Sequence, residues 1–310
     1  MKTKRICAYA PASIGNVSVG FDCLGLALEQ PGDYVSIEKG KKPGVELIEI
    51  NGDGGVLPKE AEKNVVGVVI QKMLDDLNRD DALAIRLVKG LALQSGMGSS
   101  ASSSVAAAVA ANAYLGSPFT KEELLPYAME GERVACGAAH ADNVAPALLG
   151  GITLIRSHDP IDVIKLDYPK NLYCAVVHPE LAVATRDARA VLPKTVPLET
   201  AVAQSAHLAA FVVALYQSKW DLLSRSMVDM LAEPNRKELL AYFDEVKDAG
   251  IKAGALACGI SGSGPTIFAL CRGKVVARRV AIAMSQVYDD HEIDNQCYVS
   301  KVNSKGAEII

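Results

Sequence analysis

Nowhere in the 310 residues do lysines and arginines gather into a run or alternate with aromatic residues, and the formal net charge is −4. A nucleic-acid partner selects for such clusters, so none is expected. The seven cysteines are odd in number and include no C-x-x-C pair. Several stand inside apolar runs, as in Tyr173-Cys174-Ala175-Val176-Val177. They read as reduced core residues of a cytoplasmic protein rather than staples or metal ligands. The five histidines form no H-E-x-x-H or similar metal pattern. Lys2, Lys4 and Arg5 precede an apolar run that Pro11 cuts short, so no secretory leader is expected. No apolar run reaches bilayer length, the longest being a serine-laced alanine segment, and no membrane role is expected. Internal repeats are also missing. Gly-Lys-Ser/Thr occurs nowhere, and Lys89 lies upstream of the glycines, which excludes a Walker A loop.

What the chain does have is half its residues hydrophobic and enough length for a substantial core, in two domains or one large one. Its most informative stretch is Leu93-Gln94-Ser95-Gly96-Met97-Gly98-Ser99-Ser100-Ala101. Ala82 to Val88 alternates like a strand and leads into it. Ser102 to Tyr114 reads as a helix leading out, stopped by Gly116 and Pro118. Gly96 and Gly98 let the backbone turn tightly and approach a ligand without Cβ obstruction. A helix N-terminus carries unpaired donors and partial positive charge, so a glycine turn feeding one suits phosphate. The Rossmann fingerprint fails for want of a third glycine, Ser99 and Ser100 standing in its place. A serine hydroxyl there can ligate Mg²⁺ as the Walker Ser/Thr does. An ordinary turn with a serine cap fits the same pattern.

Elsewhere, Arg5 to Tyr9 reads as a strand, and Pro11 to Asp22 as a small-residue connection with Asn16 and Asp22 as its polar groups. Tyr34 to Glu38 and Gly44 to Ile50 are expected as a hairpin around Gly40 to Pro43. Asn64 is placed to cap a helix over Val65 to Leu77. Thr120 and Glu123 form a capping box that opens a helix carrying Glu130, Glu132 and Arg133. A composition change at Arg156 to Pro160 suggests a boundary, giving domains over 1–158 and 159–310. The second half reads strand (172–178), helices (198–217, 220–231, 237–249), strands (255–258, 266–271), helix (275–288) and strand (297–302). That is the split β-α-β-β-α-β order of ferredoxin-like folds, hence an α+β class. Arg189 and Arg236 bring planar forks suited to a carboxylate. Beside Asp22 and His140 they would make a pocket polarised for an α-amino acid.

Ser95 to Ala101 resembles the central motif of the GHMP kinases. Ala10-Pro11-Ala12-Ser13-Ile14-Gly15-Asn16 and Gly259-Ile260-Ser261-Gly262-Ser263-Gly264-Pro265-Thr266 resemble that superfamily's outer motifs, in order and across almost the whole chain. Ser18 to Asp22, His140 to Pro146 and Ala188 to Pro193 are similar to the homoserine kinase branch in particular. Gln94 and Met97 depart from the usual Gly and Leu.

The resemblance implies a two-domain fold: an N-terminal ribosomal-S5-domain-2-like unit and a C-terminal ferredoxin-like one. It implies ATP as phosphoryl donor, Mg²⁺ as cofactor, L-homoserine as acceptor on the route to threonine, and a homodimer. Residue by residue it implies Asn64, Leu93 to Ala101, Ser261 and Gly262 at the nucleotide. Ser100 and Glu132 go to the metal, with Glu130 the second choice. Arg189 and Arg236 go to the substrate carboxylate, Asp22 to the amine, and Asn16 and Asn143 near the reacting hydroxyl. His140, Thr185 and Gly262 complete the pocket. A mevalonate or sugar kinase, or a catalytically silent metabolite-binding paralogue, are the alternatives on the same scaffold.

Overall fold

The computed structural model describes residues 5–137 and 140–310; the leading lysines and the Ala138-Ala139 connection before His140 lie outside the described residues. The chain opens with strands β1 (Ile6–Gly15), β2 (Leu24–Lys39) and β3 (Gly44–Asn51), helix α1 (Val65–Asp76) and strand β4 (Ala82–Val88). Helices α2 (Ser99–Tyr114), α3 (Leu125–Cys136) and α4 (Val144–Leu149) follow, then the hairpin β5 (Ile152–His158) and β6 (Ile161–Leu166). Six further helices and four further strands make the second half. They are β7 (Leu172–Pro179), α5 (Thr185–Ala190), α6 (Leu198–Gln217), α7 (Trp220–Ser226), α8 (Glu233–Arg236), α9 (Phe243–Lys252), β8 (Ala257–Ile260), β9 (Ile267–Arg272), α10 (Lys274–Asp290) and β10 (Asn295–Lys301). A short β11 (Glu308–Ile309) ends the chain.

The first sheet runs β11-β1-β2-β4-β3, with β5 on β2 and β6 on β5. The expected hairpin between β2 and β3 does not form. β4 lies between them, antiparallel to β2 and parallel to β3. Two neighbouring strand signals cannot reveal that a later strand will enter between them. The second sheet runs β10-β7-β9-β8, all antiparallel, which is the ferredoxin-like order. The division drawn at 158/159 falls within the β5–β6 hairpin, both strands of which belong to the first sheet. The chain changes sheet between Leu166 and Leu172.

Apolar side chains of the first sheet and of α1 to α4 make one core. A second core joins the sheets: Ile14, Leu24, Leu26 and Leu28 meet Cys174, Val176, Phe268 and Phe211. A third lies between the second sheet and α9 and α10. Helix α2 is buried on nearly all sides, its alanines and serines letting β1, β2, α1 and α3 approach closely. At its start the site is built. Helix α6 corrects one expectation, since its 20 residues are long and apolar enough by composition to span a bilayer. Alternation with Glu199, Gln204 and Ser205 hid this from a search for unbroken apolar runs.

Candidate active site

A cavity of about 440 Å³ opens where the start of α2, the β1–β2 turn, the end of α3 and the β8–β9 turn converge. At one end, Gln94 to Gly96 and Gly98 to Ser100 line it. Gly96 and Gly98 have φ of +77° and +67°, and Gly98 is the N-cap of α2, so the turn is one that glycine enters freely. A Cβ on Gly96 would stand 2.6 Å from the carbonyl oxygens of Ser261 and Gly264. The helix starts at Ser99, three residues earlier than its apolar pattern suggests, and its N-terminus faces the cavity.

The β8–β9 turn braces this loop. Ser261 donates its hydroxyl to Gly96 O (2.8 Å), the Thr266 amide reaches Ser95 O (3.4 Å), and the Gly262 amide reaches Gly15 O (3.2 Å). Gly262 O in turn accepts from Asn16 Nδ2 (2.9 Å) and Arg236 Nη1 (2.9 Å). Two distant glycine motifs are thereby held as one rigid wall between the two ends of the cavity.

At the other end Asp22, His140, Asn143, Thr185, Arg189 and Arg236 line the wall. Arg189 grips Asp22 with both terminal nitrogens, Nη2 to Oδ1 at 2.8 Å and Nη1 to Oδ2 at 3.0 Å. That bond to Asp22 raises the guanidinium's pKa further. Arg236 is buried and anchored by Nε to Ala188 O (2.9 Å); burial and the Arg189 charge lower its pKa. Both guanidinium groups lie over the Phe21 ring, 5.5 and 5.2 Å from its centroid. Burial, then the Arg189 charge, hold the His140 imidazole below its ordinary pKa, so it is neutral at neutral pH. Ser13 Oγ fixes Asn143 Oδ1 at 3.0 Å, and Asn16 Oδ1 accepts the Asp22 amide at 2.9 Å.

Models of the GHMP kinases N terminal domain and the GHMP kinases C terminal match residues 64–151 and 211–290. The homoserine kinase of Chlorobium phaeobacteroides strain BS1 is 44% identical over 99% of this chain and 100% of its own length. The chain belongs to the homoserine kinase family of GHMP kinases. A solved homoserine kinase structure from Cytophaga hutchinsonii superposes with a TM-score of 0.97 at 47% identity, covering 100% of this chain and 98% of that one. The L. major mevalonate kinase structure, at 17% identity, 95% coverage of both chains and a TM-score of 0.72, shares the fold.

Homoserine kinases of this family use ATP with Mg²⁺, and the donors here fit the ion. Glu132 is buried with Oε1 lacking any hydrogen-bond partner, while the Ser100 hydroxyl lies beside it. Burial pushes this carboxyl up to about 7, against the pull of Ser100. No cluster of three metal-ligating side chains occurs among the described residues. A nucleotide-bound Mg²⁺ does not need one, because phosphates and water supply the remaining oxygens. Glu130 instead pairs with Arg133 on the exposed side of α3.

Three of the expected nucleotide residues do not line the cavity. Met97 is packed in the second core, Ala101 in the first, and Ser261 faces the loop it braces. Asn64 does line it, with its side chain engaged to Val66 N (3.0 Å) and Pro58 O (2.8 Å). Sequence reading missed Lys89, Asp142 and the apolar rim of Val56, Leu57, Pro58 and Val65. Lys89 is buried, paired with Asp33, and donates to Ser99 O (2.8 Å) and Ser103 Oγ (2.9 Å). Asp33 also accepts from the Gly90 amide (2.9 Å) and Ser103 Oγ (2.6 Å). Its signal was present: a lysine closing an apolar strand just before a glycine turn. Burial, then the Asp22 charge, push the Asp142 carboxyl up to about 7.

Proposed function

We propose that the protein transfers the γ-phosphoryl group of ATP to the side-chain hydroxyl of L-homoserine, giving O-phospho-L-homoserine and ADP. The observation that carries this reading is a single cavity with a helix N-terminus behind a glycine turn at one end and two arginines with an acid at the other. The triphosphate lies along Gln94 to Ser100, with adenine toward Asn64 and the apolar rim of Leu57 and Val65. Arg189 and Arg236 take the homoserine carboxylate, Asp22 takes the amine, and Asn16, Asn143, His140, Thr185 and Gly262 position the chain that carries the hydroxyl.

Ser100 and Glu132 would hold the Mg²⁺, whose charge, when bound, offsets that of the phosphates. Phosphoryl transfer passes through a loose transition state with charge spread over the equatorial oxygens, so alignment and fixed donors supply most of the rate. The loop amides and the α2 terminus are such donors, and the β8–β9 brace keeps them from relaxing. Asn143 is an amide and cannot serve as a base. Asp22, given to the substrate amine, has its carboxylate occupied there in the complex, which favours positioning over general-base catalysis. We assign the protein to the cytoplasm and to threonine synthesis on the same family grounds, and to a homodimer. Leu198, Val202, Val213 and Tyr216 support the last by sharing one exposed face of α6. Sedimentation equilibrium checks it, a monomer mass being the contrary result. A coupled ADP-release assay with L-homoserine, mevalonate, galactose and shikimate tests the activity. Release with homoserine alone is expected; binding of ATP and homoserine without ADP release would favour the silent paralogue.

A further inference from the structure

We propose that Asp22 acts as a stand-in for the ligand's carboxylate, holding Arg189 until a zwitterion displaces it, and that this exchange makes the site reject hydroxy acids that lack an amine. The exchange rests on the proposed roles of Arg189 and Asp22 toward homoserine. Its basis is the two-toothed pair between them, 2.8 and 3.0 Å, in which the arginine fork already holds the kind of group it is assigned to bind. The pair faces the cavity with 39% of the Arg189 side chain and 30% of Asp22 exposed, so a ligand can reach both partners. Arg189 Nε is buried with no hydrogen-bond partner, so Asp22 leaves this guanidinium incompletely satisfied. Phe21 lies under both arginines and keeps them in place when Asp22 turns away. The Asp22 backbone is itself pinned by its amide on Asn16 Oδ1, so the exchange needs only a side-chain rotation.

Counting charge pairs at Arg189 and Asp22 alone, the Arg236 contact being common to every carboxylate ligand, gives the selectivity. An α-amino acid breaks one pair and makes two: carboxylate on Arg189, ammonium on Asp22. A hydroxy acid breaks one and makes one, leaving Asp22 unpaired. A simple amine likewise breaks one and makes one, stranding Arg189. Each half of the zwitterion therefore helps the other to bind, and the two halves offered as separate molecules should do the same.

The test uses the intact wild-type protein with Mg²⁺ and a non-hydrolysable ATP analogue. Calorimetry should find 4-hydroxybutanoate binding weakly alone and about 10-fold tighter with saturating methylammonium, the scale of one charge-assisted hydrogen bond. The reciprocal titration should give the same factor. Equal affinity with and without methylammonium, or no binding under either condition, overturns the proposal. In a second arm, Asp22→Asn should bind 4-hydroxybutanoate about 10-fold more tightly than wild type and L-homoserine roughly 10²-fold more weakly. Parallel weakening of both overturns it. Wild-type turnover of L-homoserine is measured separately: its failure counts against the functional reading, whereas independent binding of the two fragments counts against the exchange alone.

Discussion

Arg236 is held from two sides, on Ala188 O and Gly262 O, before any ligand arrives. Arg236→Ala removes a charged donor from the carboxylate end and cuts a tie to the β8–β9 turn. The expected result is a homoserine KM about 10²-fold higher, with a smaller change for ATP. Steady-state kinetics with each substrate varied check this; equal losses would contradict it. Glu132 and Asp142 set a pH dependence. Both carboxyls are raised to about 7 in the folded protein, against about 4 in an unfolded chain. Between those values the folded state holds more protons, so this contribution to stability falls as pH rises through the window. His140 and His178, lowered by burial, act in the opposite sense, so the readout is a difference between proteins. The melting temperature of ligand-free Glu132→Gln/Asp142→Asn should gain on wild type between about pH 5 and pH 8, by an amount worth up to about 5 kcal/mol. A constant gap across that range would contradict the shifts.

At the scale of elements, the Lys89–Asp33 pair ties the end of β4 and the middle of β2 to the first turn of α2. Lys89→Met leaves Asp33 buried without its cation, at a cost of about 3–5 kcal/mol in chemical denaturation. Lys89→Met/Asp33→Leu should recover part of that loss and still show a raised ATP KM, because Ser99 O and Ser103 lose their donor. The glycine turn makes a sharper demand. Gly96→Ala puts a methyl against two carbonyl oxygens at a φ that alanine resists. A stability loss above about 1 kcal/mol is expected with weakened nucleotide binding, and a neutral substitution would mean the two turns are not locked together. Locally encoded elements were legible in sequence: β4 and α6 have the expected bounds, and Asn64 caps α1 as anticipated. Thr120 and Glu123 do bond each other, but ahead of a 3-10 turn (Glu122–Leu124), and α3 itself starts at Leu125 without a side-chain cap. Pairing was less so. Strand alternation tells which face is buried but not which neighbour it meets, hence the misread β2–β3 hairpin. Past residue 226 the polar Asp229-to-Lys237 stretch breaks the helices that periodicity alone would have continued.

For the molecule as a whole, the cavity exists because three glycine-bearing motifs meet at one seam. The first and third are some 250 residues apart, yet Asn16 Nδ2 donates to Gly262 O. Their meeting was legible only through the family resemblance, since no periodicity connects them. Lys89 with Asp33 and Arg189 with Asp22 are likewise pairs that span 56 and 167 positions. Local pattern is blind to such pairs. The C-terminal segment seals the assembly, β11 adding an edge strand on β1 and Val302 bridging Leu28. The most direct measurement is ADP release by the purified protein with ATP, Mg²⁺ and each candidate acceptor in turn. The account predicts turnover with L-homoserine at a kcat/KM at least about 10²-fold above that for mevalonate, galactose or shikimate, as expected when carboxylate and amine are both held by charge. Turnover of mevalonate or galactose at an equal or greater rate would contradict it.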